Sequence, residues 1–97
     1  MVKHIVMFRL NGDENTRHDL ARRFKEAIEA LPALIPQLNS VEVGINDGTP
    51  SNFDIVLTAL CDGYAELDTY SAHPEHLKCV AIIKPNIAQR TCVDYTL

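Results

Sequence analysis

Two spacings of hydrophobic residues alternate along the chain, and they predict its secondary structure. Four segments rich in β-branched and aromatic side chains predict strands. These segments span residues 3–10, 41–46, 53–61 and 89–95. Apolar residues recur every three or four positions over residues 16–31, which predicts a helix with one buried face. Two shorter helices are predicted between the third and fourth strands, one over residues 62–71 and one that begins at Pro74.

Capping and turn residues indicate where the predicted helices start and stop. Asp62 is of the type that caps a helix N-terminus, and Pro74 suits the first turn of the next helix. Pro85 is expected to kink that last helix or end it early. Four residues of the last helix and its exit are predicted to face inward. They are Leu77, Val80, Ala81 and Ile87.

The order of elements predicts a ferredoxin-like α+β fold. Strand, helix, two strands, helical segment and strand form the split β-α-β arrangement, with a four-stranded antiparallel sheet and its helices on one face. The chain of 97 residues is expected to be a single domain, 1–97. A chain of this length buries only about 60–65% of its unfolded surface, so that a lone monomer would be marginally stable.

The first and third strands carry apolar side chains on both faces, and this predicts a dimer. On the first strand the two faces are His4, Val6, Phe8 and Leu10, against Lys3, Ile5, Met7 and Arg9. Helices can cover only one side of the sheet, and a large apolar patch left on the other side is typical of a partner surface. The simplest cover is a second copy with two-fold symmetry, which predicts a homodimer whose two sheets form an α/β barrel.

Charge and hydropathy exclude several kinds of partner. The net charge is −4, and the one basic cluster, Arg22, Arg23 and Lys25, lies on a predicted helix where it is typical of a solvated face. Nucleic acid is therefore not predicted as a partner, because phosphate binding needs a sustained basic surface. The apolar run at the N-terminus is interrupted at Arg9, too early for a signal peptide or membrane span. We expect no membrane partner and a cytoplasmic location.

Cysteine and histidine spacing does not predict a metal or cofactor. Cys61, Cys79 and Cys92 form no C-x-x-C pair and are expected to be small buried residues of a reducing compartment. His73 and His76 are three positions apart, which zinc can use only when further ligands join, and the neighbouring sequence supplies none. The sequence does not exclude a hard cation that is bound by backbone carbonyl groups.

The stretch Tyr70-Ser71-Ala72-His73-Pro74-Glu75-His76 contains the densest group of proton-transfer side chains. A histidine near neutral pKa suits proton removal beside a carbonyl, and a tyrosine hydroxyl can donate to the developing enolate. On an unbroken helix Tyr70 and His76 would diverge by about 120°. Since Pro74 disfavours a helical conformation at His73, a break there can bring the two side chains together.

The chain resembles the stress-responsive dimeric A/B barrel (Dabb) family over essentially its whole length. The similarity is carried by residues 1–8, by Tyr70-x-x-His73-Pro74-x-His76 and by residues 89–95. The resemblance implies a ferredoxin-like dimer that forms an α/β barrel, in agreement with the order of elements. It also implies a stress-response protein or a cofactor-free enzyme.

The family includes a plant polyketide cyclase, and the resemblance implies roles for particular residues. The cyclase's catalytic tyrosine and last motif histidine match Tyr70 and His76, and a cavity histidine on its first strand matches His4. A further cavity histidine is replaced here by Asp54. We therefore predict His76, Tyr70 and His4 as catalytic residues, and assign ligand binding to Asp54 and three further residues. These three are His73, Phe8 and Phe24.

Two main hypotheses follow. In the first, the protein is a cofactor-independent cyclase or lyase for a small carbonyl compound, and the site lies in an enclosed pocket. In the second, it is a non-catalytic stress-response or small-molecule-binding protein. His73 then only caps a helix, while Tyr70 and His76 form structural hydrogen bonds and His4 packs in the core. A heme-binding or monooxygenase role is a weaker third alternative, because the sequence shows no axial-ligand or flavin motif.

Overall fold

The computed structural model describes residues 1–97 and shows the predicted order of elements. The elements are β1 (Val2–Leu10), α1 (Glu14–Glu29), β2 (Ser40–Ile45), β3 (Ile55–Cys61), α2 (Tyr64–Ala72), α3 (Pro74–Ile83) and β4 (Ile87–Thr96). The four strands form one antiparallel sheet in the order β2-β3-β1-β4. The ferredoxin-like α+β prediction is confirmed, and so is the central position of the first and third strands.

Alternation along β1 and β3 determines which side of the sheet the helices cover. Every second residue of β1 is buried, beginning at Val2, and the same holds for β3 beginning at Ile55. These side chains pack against the apolar face of α1, where Phe24 meets Phe8 edge to face with ring centroids 5.6 Å apart. The hydrophobic core therefore lies between the helices and one face of the sheet.

A side chain caps the N-terminus of the first helix but not that of the second. Asp13 caps α1 by accepting a hydrogen bond from the backbone N–H of Thr16 at 2.8 Å. The N-cap of α2 is Gly63, which makes no side-chain capping bond. The prediction that Asp62 caps this helix was wrong. The carboxylate of Asp62 instead accepts a hydrogen bond from the Asn39 side chain at 2.8 Å.

A break at His73 separates α2 from α3, as the proline predicts. His73 has an extended backbone with ψ of 135°, and α3 begins at Pro74. At the other end α3 stops at Ile83, just before a short 3-10 turn, Lys84–Asn86, that contains Pro85. The predicted early end is confirmed.

The inward face of α3 differs from the predicted one. Cys79 and Ile83 are buried, whereas Leu77 is 54% exposed and Ala81 also faces solvent. The break at His73 resets the rotation of the helix, so that Cys79, three positions after His76, and Ile83, four positions after Cys79, turn inward. The prediction that Leu77 and Ala81 face inward was therefore wrong.

The other face of the sheet is left without helices. Residues of β3, β1 and β4 form rows across it because paired residues of an antiparallel sheet share a face. The rows are Val56–Met7–Thr91, Thr58–Ile5–Val93 and Leu60–Lys3–Tyr95. Of these residues, Met7, Val56 and Val93 are at least one-third exposed. None of the helices combines the length and the apolar character that crossing a membrane requires.

Candidate functional site

The break between α2 and α3 brings Tyr70 and His76 into contact. Tyr70 lies in the last turn of α2 and His76 in the first turn of α3. Their ring centroids are 4.5 Å apart with an interplanar angle of 52°. A continuous helix would hold these two side chains apart. The extended conformation of His73 places them side by side.

The Tyr70 hydroxyl is buried and has no hydrogen-bond partner. The residue is 0% exposed, and its oxygen makes no hydrogen bond to any protein group. Burial raises the pKa of Tyr70 above its ordinary value, and the nearby thiols of Cys61 and Cys79 raise it further. The phenol is therefore neutral at physiological pH and keeps its proton available for donation.

His76 presents one nitrogen to the backbone and keeps the other free of protein hydrogen bonds. Its Nδ1 lies 3.0 Å from the carbonyl oxygen of Ser71. Because a carbonyl only accepts, Nδ1 carries the proton in this hydrogen bond, and the neutral ring then has its lone pair on Nε2. Burial lowers the pKa of His76, the hydrogen bond to Ser71 partly opposes this effect, and electrostatic interaction with neighbouring side chains, among them Arg90, lowers the pKa further. The imidazole is consequently neutral near pH 7, as proton acceptance requires.

His73 serves α3 as its N-cap. Its Nδ1 accepts a hydrogen bond from the backbone N–H of Glu75 at 3.1 Å, which satisfies a donor at the start of the helix. This contact occupies one ring nitrogen with a structural bond. Its predicted part in ligand binding stays a prediction.

His4 lies on β1 among side chains of β4 that the sequence analysis did not single out. It is 9% exposed, and its Nδ1 makes a short contact with the Asp94 carboxylate. The Cys92 sulfur lies 3.5 Å from the same nitrogen. Cys61 and Cys79 are buried as expected, but the expectation was wrong for Cys92, which is exposed. Cys92 and Asp94 alternate along β4 on the face of His4, a signal visible only once strand register is known.

The remaining predicted residues lie away from the Tyr70–His76 pair or within the core. Phe8 and Phe24 are both almost completely buried and pack against each other. Asp54 accepts a hydrogen bond from the Leu10 backbone N–H at 2.7 Å and pairs with Arg17 at 3.4 Å. It precedes Ala59, the partner of His4 across the strands, by five residues, or about 16 Å of extended chain. Asp54 makes no hydrogen bond or ion pair with Tyr70, His76 or His4.

Two clefts lie near the loop that joins β2 to β3. One, of about 520 Å³, is formed mainly by polar residues of that loop and of α1, including Asp54, Arg17 and His18. The other, of about 260 Å³, opens on the uncovered face of the sheet beside Met7 and Val56. Neither is lined by Tyr70, His76 or His4. Asp54 lines both clefts, so its predicted part in ligand binding would be played there and not beside Tyr70 and His76.

The family is decided by a match over almost the entire chain. The profile of the family described as "Stress responsive A/B Barrel Domain", or Dabb, matches residues 2–97. The chain belongs to this family. No curated protein matches this Dabb chain in sequence.

Solved structures share the fold of this Dabb protein. A dimeric protein of unknown function with a ferredoxin-like fold from Bacteroides fragilis is 37% identical, with a TM-score of 0.95 over 99% of this chain and 95% of its own. A dimeric ferredoxin-like protein of unknown function from Thermobifida fusca is 33% identical, with a TM-score of 0.83 over 99% and 90%. At 16% identity, a hydroxynitrile lyase from Passiflora edulis shares the fold, with a TM-score of 0.75 over 99% and 92%.

Proposed function

We propose that this Dabb protein is a homodimeric, cofactor-independent lyase or cyclase for a small carbonyl compound, with His76 as general base and Tyr70 as hydrogen-bond donor. One observation carries the proposal: the ring of Tyr70, whose buried hydroxyl has no partner, lies against an imidazole whose Nε2 makes no protein hydrogen bond. A buried polar group without a partner costs about 1–3 kcal/mol. Such a cost is typical of a group kept for a ligand.

The chemistry needs only these two groups. Nε2 of His76 takes a proton from the carbon beside the carbonyl, and the electron pair of that C–H bond moves toward the carbonyl oxygen. The Tyr70 hydroxyl donates a hydrogen bond to the enolate oxygen that develops. In a cyclase the enolate carbon then attacks a second carbonyl of the same molecule, and the alkoxide that forms takes the proton back from His76. In a lyase the steps run in reverse: His76 removes the proton of the hydroxyl, the C–C bond breaks, and Tyr70 donates to the enolate oxygen that is released. His4, on β1, stays the predicted third residue of the site. The hydroxynitrile lyase with the same fold supports the lyase class.

The uncovered sheet face is the proposed dimer interface. Val56, Met7 and Val93 expose a continuous apolar surface there, and a second copy would remove it from water. The Bacteroides fragilis and Thermobifida fusca relatives are described as dimeric, which supports a homodimer for this chain as well. The pair Tyr70–His76 lies on the opposite, helix-covered side, away from such an interface.

Deuterium exchange tests the proton-transfer step without knowledge of the natural substrate. Small aliphatic and aromatic ketones and 1,3-diketones are incubated with protein in D₂O, and exchange beside the carbonyl is followed by NMR. The wild type is expected to accelerate exchange of at least one compound, and His76→Gln to lose about 10²–10⁴-fold of that rate. The exposed histidine of α1 provides a matched control, His18→Gln, which is expected to keep the full rate. Equal rates in wild type and His76→Gln, or no acceleration by the wild type, would refute the proposal.

A non-catalytic binding protein is the second candidate, and part of the motif favours it. His73 caps α3, and one nitrogen of His76 bonds the Ser71 carbonyl, so that these contacts hold the helix break together. If the motif serves only this purpose, His76→Ala unfolds the protein. Thermal denaturation of that variant separates the two functions, because a catalytic His76 leaves a folded but inactive protein.

A further inference from the structure

We propose that His4, Cys92 and Asp94 form a binding site for a divalent transition metal ion of the zinc type. This site goes beyond the proposed function and does not depend on it. The donor atoms of the three side chains all lie within 4.8 Å of one another. They come from two strands that pair directly, so that the sheet itself positions them.

Strand register places the three donors on one face of the sheet. His4 pairs with Asp94 across β1 and β4, and Cys92 precedes Asp94 by two positions on the same strand. Side chains two residues apart on a strand point to the same face, and directly paired residues do so as well. His4 is buried, whereas Cys92 and Asp94 are open to solvent. The buried imidazole of His4 thus lies at the bottom of the site. Cys92 and Asp94, which can bind a metal ion as thiolate and carboxylate, lie at its solvent-exposed edge.

The distances between donors match the edges of a tetrahedral zinc site. Zinc binds sulfur at about 2.3 Å, nitrogen at about 2.0–2.1 Å and carboxylate oxygen at about 2.0–2.2 Å, which gives donor–donor edges of about 3.3–3.6 Å. The Cys92 sulfur lies 3.5 Å from His4 Nδ1 and 3.6 Å from Asp94 Oδ1. Only the His4–Asp94 pair, now in hydrogen-bond contact, has to open, and rotation of the exposed carboxylate is enough for that.

The geometry disfavours a catalytic Cys–His–Asp triad at this place. In such a triad the nucleophile and the acid bond opposite nitrogens of the imidazole. Here the thiol and the carboxylate both approach Nδ1 of His4. Three donor atoms within 4.8 Å of one another are compatible with a single metal ion instead.

Ligand chemistry selects the kind of ion. A thiolate and an imidazole favour zinc and similar transition ions, whereas magnesium and calcium prefer sites made entirely of oxygen. On binding, the proton of the Cys92 thiol and the Nδ1 proton of His4 leave to solvent, and the thiolate and carboxylate balance the two charges of the ion. Arg90 lies two residues before Cys92 on the same face, and its positive charge would repel a bound metal ion. Three protein ligands leave a fourth position open for water or a ligand, as in catalytic zinc sites.

Cobalt(II) is the probe for this site, because its spectrum reports both geometry and thiolate ligation. The full-length protein is reduced, freed of metal and titrated with cobalt(II) and then with zinc. We expect about one ion per chain, intense visible bands of a tetrahedral ion and a sulfur-to-cobalt charge-transfer band in the near ultraviolet. Zinc is expected to displace the cobalt and remove these bands.

Variants decide which side chains bind the ion. Cys92→Ser is expected to abolish the charge-transfer band, and Asp94→Asn to weaken zinc binding by about 10–100-fold or more. Because Cys92 and Asp94 are exposed, both variants should fold, and circular dichroism checks this. Cys79→Ala is the matched control, since Cys79 lies outside the cluster and its loss is expected to leave the band unchanged.

Three results would overturn the metal site. They are a charge-transfer band that persists in Cys92→Ser, weak octahedral-type bands in the wild type, and no cobalt binding by the wild type. None of these measurements depends on enzymatic activity. Loss of deuterium exchange in the preceding experiment and loss of metal binding in this one therefore report on separate proposals.

Discussion

Removal of the Tyr70 hydroxyl is expected to stabilise the protein while it impairs the reaction. The hydroxyl is fully buried and has no hydrogen-bond partner, so that it retains a desolvation cost of about 1–3 kcal/mol. Tyr70→Phe keeps the ring and its contact with His76 and deletes only the oxygen. We expect the free energy of unfolding to rise by about 1 kcal/mol, since the small void left by the oxygen offsets part of the gain.

The change in stability is large enough to measure in a chain of this size. For a domain of 60–100 residues, 1 kcal/mol corresponds to about 4–8 °C in Tm. Urea denaturation and thermal unfolding are compared at one fixed protein concentration, because the proposed dimerisation would make Tm depend on concentration. Tyr64→Phe is the matched control: Tyr64 lies on the same helix, is 49% exposed and is expected to shift stability by no more than about 0.5 kcal/mol.

The same variant tests the role of the hydroxyl in the proposed reaction. Loss of one oxyanion donor typically lowers the rate by about 10²–10³-fold. Deuterium exchange by Tyr70→Phe is therefore expected to fall by that factor while the variant melts at a higher temperature. A variant destabilised by more than about 1 kcal/mol would refute the reasoning, since it would mean that the hydroxyl makes a structural hydrogen bond.

Three further predictions concern the pH response, the helix break and the open sheet face. Because burial lowers the pKa of His76 below its ordinary 6.5, the unfolded chain binds its proton first as pH falls. Stability is then lost as pH falls from about 6.5 through the lower folded-state pKa, and urea denaturation of His76→Gln between about pH 7 and about pH 5 should show a smaller loss. His73→Ala removes the cap of α3 and should cost about 1 kcal/mol in thermal unfolding, whereas His73→Asn, which can still cap, should cost less; equal losses would contradict the capping role. Val56→Asp should convert the proposed dimer to monomer in analytical ultracentrifugation, whereas Leu77→Asp on the outer face of α3 should not; a dimer that persists in Val56→Asp would exclude this face as the interface.

The order of elements and the break at His73 could be predicted because their causes are local. Alternation of apolar residues along β1 and β3 depends on the two-residue period of a strand, and the spacing in α1 on the period of a helix. Pro74 acts on its immediate neighbour through a steric clash, so that the extended conformation of His73 follows from two adjacent residues. From that break alone, contact between Tyr70 and His76 could be expected.

Other features depended on groups distant in sequence. The N-cap of α2 shifted from Asp62 to Gly63, and Asp62 bonds Asn39, which lies 23 residues earlier. The face that α3 buries was set by its rotation after the break, and this placed Cys79 inside and Leu77 outside. The spacing of apolar residues within α3 does not reveal how the helix is rotated, because packing against α1 determines that rotation.

The amino-acid sequence by itself determined the fold class, the apolar second face of the sheet and the paired residues Tyr70 and His76, because each follows from short-range spacing and sterics. Only the tertiary structure decided that the Tyr70 hydroxyl has no partner and that Cys92 and Asp94 lie beside His4. The first depends on the packing of α2 in the core, which surrounds Tyr70 completely. The second depends on the register between β1 and β4, which pairs His4 with Asp94 although the two are 90 positions apart. Hydrogen bonding and donor geometry across such distances arise only when the whole chain has folded.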